Sequence, residues 1–448
     1  MKNPVIQIVI LGGGHVAVNA YKSFARRMSS ELSNGTVNIT VVCPETDHTF
    51  HGWTNETLTG ILQAENQLSP LSEIMPLATH LKARAEIVDS ARQIVTVKYE
   101  SGLLQHLDYD HLLLAFGFFD SENIDGLADF GYQVKSRDAF YRTRIQIYNQ
   151  VKVAGHSSEA KARQLLNFIV AGGGFTGVEL AANLAEYVGF LKKSYPSLDH
   201  IKANITLVDN EQQLLPALHG SEKLRTYTEE VLKTQGVKVI PNSRIVRINP
   251  EGVYLDDHSF LQSTMVITAT GQTRIRLKGT ESMQRDISGR IFTNEYLQII
   301  GHDNIWGGGD ACHVNRTSTQ DACPSNALWA IKHGTHAGKN LARALLGNRL
   351  KPFSNTSSEV ASLGIGKGIG KFFGMQFTGM SAWLLRLLIF HYFMPSKKVM
   401  FRAFSDWTYL LFSGQRKGIQ EIQQASHAPL NTIKTRSKPA EKIFTSIY

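Results

Sequence analysis

Apolar positions in this chain gather into short β-rich runs that break at glycine and give way to a helical period. Val5–Leu11 is the first such run; it stops at Gly12-Gly13-Gly14, and a helix is predicted from there to about Met28. Phe168–Ala171 is the second; it ends at Gly172-Gly173-Gly174, and a helical pattern begins at Thr176. A further strand follows each helix, Val37–Val42 in one case and Asn204–Val208 in the other. The two turns lie about 160 residues apart, so a strand-turn-helix-strand unit occurs twice. Each unit is completed downstream by β-rich sequence, Ala85–Tyr99 and Val237–Val253, and then by a strand ending in a glycine turn. Those closing turns are Ala115-Phe116-Gly117 and Ala269-Thr270-Gly271.

The later chain departs from this pattern. Asn304-Ile305-Trp306 runs into Gly307-Gly308-Gly309-Asp310-Ala311, where the aspartate is expected to open a helix, and Cys323–Leu346 reads as one long helix. After Phe353 the sequence turns glycine-rich, and then comes an apolar run of about 13 residues, Ala382–Met394, interrupted by Arg386 and ended by Pro395. That is too short to cross a bilayer, and no stretch reaches the ~18 uncharged apolar residues a spanning helix needs. The following segment mixes basic residues with Trp407, Tyr409 and Phe412, a pattern that suits a helix lying in a membrane interface. A C-terminal domain packed on its own core, or on a second copy, is the competing reading.

Chemistry enters through the glycines. Gly172, Gly174 and Gly177 fit G-x-G-x-x-G: the first makes the turn, the second admits a pyrophosphate to the backbone, and the third lets helix and strand pack closely. Asp209 ends the next strand, where a carboxylate accepts from a ribose 2′-hydroxyl and repels a 2′-phosphate, so NADH is favoured over NADPH. Gly12, Gly14, His15 and Ala17 form the variant with alanine at the packing position. Cys43 stands where the ribose acid is usual; Glu45, two residues on, is expected to reach the ribose, although loop acids are more often solvated. Two fingerprints in one chain are the arrangement of two-dinucleotide flavoproteins, with one unit for FAD and one for NAD(P)H. Ala115, Gly117 and Gly271 close the two turns, and Asp310 is placed to accept from a ribitol hydroxyl, its plainer role being a helix cap.

The expected fold is therefore α/β, with two Rossmann-like dinucleotide-binding domains and a C-terminal amphipathic, membrane-associated region. Its expected divisions are 1–150 for the first part of the FAD domain, 151–285 for the NADH domain and 286–350 for the second part of the FAD domain. Residues 351–424 form the membrane-associating region and 425–448 a mobile tail. From Ser381 onward ten Lys and Arg face three Asp and Glu, so most of the net charge of +9 sits in the last part of the chain. Basic charge beside an apolar face points to an anionic lipid surface rather than to nucleic acid. Three scattered cysteines, Cys43, Cys312 and Cys323, with no C-x-x-C, argue against a disulfide framework and for a reducing compartment. The apolar N-terminus leads into a glycine turn and reads as a strand, not a signal peptide.

From Val5 to about Gly418 the sequence resembles the type II NADH:quinone oxidoreductases, which do not pump protons. The resemblance is carried by the turn at Gly12, Asp47-His48-Thr49-Phe50, Tyr109-Asp110, Val134-Lys135-Ser136-Arg137-Asp138-Ala139, the run GGGFTGVELA, GGGDA at Gly307, and Gly379-Met380-Ser381-Ala382-Trp383-Leu384-Leu385. It implies FAD and NADH as cofactors, a membrane quinone as acceptor, and a peripheral protein on the cytoplasmic face of the cell membrane, with room for a homodimer. It also implies that Glu179 lies near the reacting rings and that Ala330 belongs to the FAD contacts. His333, whose ordinary pKa suits neutral pH, is a candidate proton donor to reduced quinone if it lines the site. A first-turn acid held by the helix dipole and a solvated histidine are the plainer readings of Glu179 and His333. The family glutamines of A-Q-x-A-x-Q-Q are replaced by Leu328, Lys332 and His333, which leaves the acceptor open. Two alternatives follow: a sulfide:quinone or thiol-dependent reductase using Cys312 and Cys323, and a non-catalytic redox sensor docked on the membrane.

Overall fold

A computed structural model describes residues 5–121, 123–218, 220–316, 321–354 and 358–427. The β-rich runs become two parallel five-stranded sheets. The first runs Ile305–Gly307, His111–Leu114, Ile6–Leu11, Val37–Val42, Ala78–Leu81 across its width. Its central strand, IQIVIL, pairs on both sides and is apolar throughout its buried half, as a strand covered on both faces must be. The second sheet runs Gly131–Tyr132, Met265–Thr268, Asn167–Ala171, Asn204–Val208, Val237–Ile240. In both, the strand before the glycine turn lies third and its helix crosses to the neighbouring strand, the order that puts ligands at the carboxyl ends of the strands. Phe118–Asp120 and Gln272–Arg274, which directly follow the two closing turns, pair antiparallel and join the halves.

Four sequence expectations change here. The division at 150 falls too late: Gly131–Tyr132 is an edge strand of the second sheet, and the helix Arg137–Gly155 buries Phe140, Ile147 and Val151 in the core of that unit. Asp310 does not open a helix; it sits in a single 3-10 turn, Gly309–Ala311, and the chain continues as the short strand Cys312–His313. The long helix begins at Ala327, not Cys323, because the Asn326 side chain accepts from the Trp329 amide and caps it there. The tail expected over 425–448 begins inside the helix Ile419–His427, and from 428 on it lies outside the described residues.

The C-terminal region is built into the molecule. Its glycine-rich start forms an antiparallel three-stranded sheet, Ser358–Ser362, Gly368–Phe372 and Met375–Thr378, followed by helices Met380–Phe393 and Lys397–Ser413. Trp383, Phe390, Val399, Ala403 and Trp407 pack with Phe50, Trp53, Ile61 and Leu62 of the first domain in one apolar cluster. Three buried arginines tie it to the segment 52–60: Arg386 donates to the Gly52 carbonyl, Arg144 to that of Thr57 and Arg416 to that of Thr59. Asp406, fully buried, accepts from the Gln63 amide and from Asn66. Arg386 thus does not interrupt a membrane-facing run, and Arg416 is not available to lipid. The opposite side stays uncovered, exposing Met380, Leu384, Leu388, Tyr392, Phe401 and Phe412. No described helix is long and apolar enough to cross a membrane.

Candidate active site

The two helices after the glycine turns, His15–Ala25 and Phe175–Lys192, begin alike. Gly14 and Gly174 are their N-caps, neither start has a side-chain cap, and a Cβ placed on either glycine would meet nothing within 4 Å. First-turn amides therefore face open space, which is what an anionic diphosphate requires. Gly12 and Gly172 hold φ of +118° and +108°, a region that disfavours side chains, and a Cβ at Gly177 would run into the Gly172 carbonyl. Ala17 plays the packing part of Gly177 in the first unit and is fully buried.

The carboxylates sit as a dinucleotide needs. Asp209 is 6% exposed, lies near the Gly173, Asn210 and Glu211 amides, and its Oδ2 lacks a hydrogen-bond partner. Burial raises its pKa, and those amides oppose the rise. Asp310 lies 3.8 Å from the Lys135 ammonium, with Oδ1 buried and unpartnered. A buried carboxylate oxygen without a donor is costly unless a ligand hydroxyl supplies one, so both sites fit a dinucleotide. In the first unit the Cys43 thiol takes the place that Asp209 holds in the second, lying against Gly13, while Glu45 is exposed. Asp209→Ser combined with Asn210→Arg is expected to shift preference towards NADPH, by removing repulsion and adding a phosphate partner. Steady-state kcat/KM for both nucleotides checks this, and equal use by wild type would dismiss the role of Asp209.

Around the first turn the structure gathers histidines that the sequence left scattered. His15 packs edge-on to His48 at 4.7 Å and to Phe50 at 5.4 Å, and the His48 Nδ1–H donates to the Gly13 carbonyl at 2.9 Å. Burial depresses the pKa of all three imidazoles here, His48 to about 4 and His51 to about 3, so they are neutral at physiological pH. His51 lines a cleft with Thr49, Lys135 and Tyr141 and carries no motif that would have marked it in advance. Ala330 lies beside Gly309 on the long helix, its Cβ 3.5 Å from where a Gly309 Cβ would stand.

Two expected catalytic residues come out differently. His333 is 2% exposed, burial pulls its pKa to about 3 so that the ring is neutral at physiological pH, and Nδ1 accepts from the Gly309 amide at 3.0 Å. It holds the turn that carries Asp310. Of its neighbours, Leu328 packs in the C-terminal apolar cluster and Lys332 lies over the Trp329 ring at 4.6 Å. Glu179 lies just past the first turn of its helix, so the dipole reading loses its basis. It accepts from the Ser362 amide at 2.6 Å and pairs at 3.4 Å with Arg386, which also binds Glu56 at 2.6 Å. Burial, only partly offset by Arg386, lifts the Glu179 pKa to about 7. A carboxyl raised above its unfolded value of about 4.5 binds more protons folded than unfolded between those two values. Stability should therefore fall as pH rises from about 4.5 to 7, and Glu179→Gln should remove that component in urea titrations at pH 5 and 8.

Cys312 and Cys323 are buried and free, and burial pushes their thiols up to about 12 and about 11. Protonated, shielded thiols are poor nucleophiles, which weighs against the thiol-dependent alternative.

Comparison with known proteins agrees with this geometry. Over 390 residues the chain is 27% identical to the type II NADH:quinone oxidoreductase of Staphylococcus haemolyticus, covering 86% of this chain and 94% of that one. The same-named Staphylococcus aureus protein is 26% identical over the same length. Among solved structures, NDH2 of Plasmodium falciparum in complex with NADH superposes with a TM-score of 0.79, at 15% identity, over 92% of this chain and 99% of that one. The sulfide:quinone oxidoreductase of Aquifex aeolicus follows at 0.70 and 15% identity, over 92% and 96% of the two chains. Residues 6–334 match the pyridine nucleotide-disulphide oxidoreductase family, and with both of its dinucleotide turns in place this chain belongs to it.

Proposed function

We propose that this chain is a flavoprotein NADH dehydrogenase that passes two electrons from NADH through FAD to a quinone without pumping protons. The observation that carries this reading is the pair of uncapped glycine-turn helices, each with an unpartnered buried aspartate oxygen beside it. The bound flavin supplies hydride acceptance and two-electron donation. The chain supplies the rest. Gly12, Gly14, His15, Ala17, Ala115, Gly117, Asp310 and Ala330 hold FAD, and Gly172, Gly174, Gly177, Asp209 and Gly271 hold NADH. Glu179 shares a proton-poised buried site with Glu56 and Arg386, and His333 positions the Asp310 turn. Relatives named for NADH:quinone oxidoreduction along nearly their whole length support the acceptor class.

The quinone is reached from a membrane surface. The uncovered apolar side of the helices Met380–Phe393 and Lys397–Ser413 supports this, with exposed Lys397 and Lys398 beside it. Each lysine adds about 1 kcal/mol of attraction to anionic lipid, screened over ~8 Å in physiological salt, whereas apolar burial is unscreened. Leu388→Glu with Phe412→Glu should abolish flotation with anionic liposomes at both low and high salt, while wild type floats at low salt and is only partly released at high salt. Wild type remaining at the bottom in both salts would make this side an interface between copies instead. NADH-dependent reduction of a soluble quinone tests the activity: turnover excludes a non-catalytic sensor, and its absence in a flavin-loaded, NADH-reducible protein would favour one.

A further inference from the structure

The junction between the two units holds charges that the glycine motifs do not account for. Phe118 and Arg274 lie on the paired strands that follow the closing turns, with Phe118 directly opposite Arg274 in register. The Lys135 ammonium stands over the Phe118 ring at 3.0 Å and the Arg274 guanidinium at 5.3 Å, so one phenyl ring carries two cations. Asp310 lies 3.8 Å from Lys135 and within the electrostatic reach of Arg274. Of the Arg274 nitrogens, Nε and Nη1 are buried with no hydrogen-bond partner. Guanidinium N–H groups removed from water and left unbonded are rare and costly, and as charged donors they bond readily to phosphate oxygens. Asp310 and Asp286, the carboxylates within electrostatic reach, make no hydrogen bond to them, and Asp310 keeps its own oxygen Oδ1 unpartnered.

We propose that Arg274 is a further cofactor-binding residue, whose free N–H groups take the diphosphate of FAD from the side opposite the helix that starts at His15. Phe118 supports its stem, and Asp310 is left to a neutral hydroxyl of the same ligand. This explains how the first unit holds a dinucleotide with Cys43 in place of a ribose carboxylate: the anchoring moves from the ribose to the phosphates. The inference rests on the FAD reading above.

The test is equilibrium binding of flavins to apoprotein, followed by quenching of flavin fluorescence, with FAD and with riboflavin, which has the ring and ribitol but no phosphate. Arg274→Gln should raise the Kd for FAD at least about 10-fold, the usual loss for charge-assisted hydrogen bonds, and leave riboflavin unchanged. Arg274→Lys keeps the charge but loses the Nε–H and the planar spread of donors, so its Kd should fall between the two and secures the test if the glutamine variant misfolds. FAD bound as tightly by both variants as by wild type would overturn the proposal, as would an equal loss for riboflavin. Wild-type apoprotein that takes up neither flavin would instead refute the FAD reading on which it stands.

Discussion

Valine at Gly14 is expected to yield folded protein without FAD, whereas valine at Gly174 should yield a flavoprotein that NADH no longer reduces. Both glycines have extended backbone, φ −80° and −72°, that any residue adopts, and both face open space, so neither substitution strains the fold. The space is where each diphosphate must approach the first-turn amides. An isopropyl group there displaces several charge-assisted hydrogen bonds, each worth roughly 10-fold, and Kd should rise on the order of 100-fold or more. Flavin content per protein and the rate of flavin bleaching by NADH read the two losses separately. Flavin lost from the Gly174 variant and kept by the Gly14 variant would reverse the assignment of the two units. The contrast with Gly12 is informative, because there positive φ and the Ala115 carbonyl make any side chain a folding defect.

Arg386→Met is expected to destabilise the protein by about 3–5 kcal/mol, the range for removing one partner from a buried ion pair. Arg386 is 2% exposed and its guanidinium is the cation between Glu56, which is 1% exposed, and Glu179. Without it Glu56 loses its 2.6 Å partner and Glu179 keeps only the Ser362 amide. Urea unfolding should show the loss, and adding Glu56→Gln should recover part of it by deleting the stranded charge. An unchanged midpoint for Arg386→Met would mean that the triad contributes no net stability. The same contacts bear on truncation. A chain cut before Gly379 keeps both glycine-turn units. In the structure that cut exposes Phe50, Trp53 and Leu62 and strips Asp406 from Gln63 and Asn66, so the truncated chain should aggregate.

What was legible in the sequence was local. Val37–Val42 and Asn204–Val208 are strands with the residues expected, because short β-rich apolar runs that follow a glycine turn and its helix leave a parallel strand few alternatives. Asp209 could be named because it ends the strand that follows its own glycine turn and helix. Arg386 could not: its main partner is 330 residues away, and inside an apolar helix it reads as a break. Arg416 stands in a basic segment that suits a lipid surface, yet it lies buried against Glu186, Tyr187 and Phe190. Asp310 and His333 illustrate a subtler limit. Glycine-aspartate suggests a helix start, but the chain returns at once to a strand, and the histidine that fixes this turn lies 24 residues further on. Pairings made by tertiary structure leave no periodic trace.

The central claim is that electrons pass from NADH through bound flavin to a quinone, and one anaerobic titration tests it most directly. The purified protein should show flavin absorption at roughly 370 and 450 nm, which are properties of the free cofactor rather than of this chain. One equivalent of NADH should bleach the longer band, and a soluble quinone added afterwards should restore it in full. A protein without those bands, or one whose bands NADH leaves unchanged, would contradict the claim at its first step; bands that bleach but do not return with quinone would contradict it at the second.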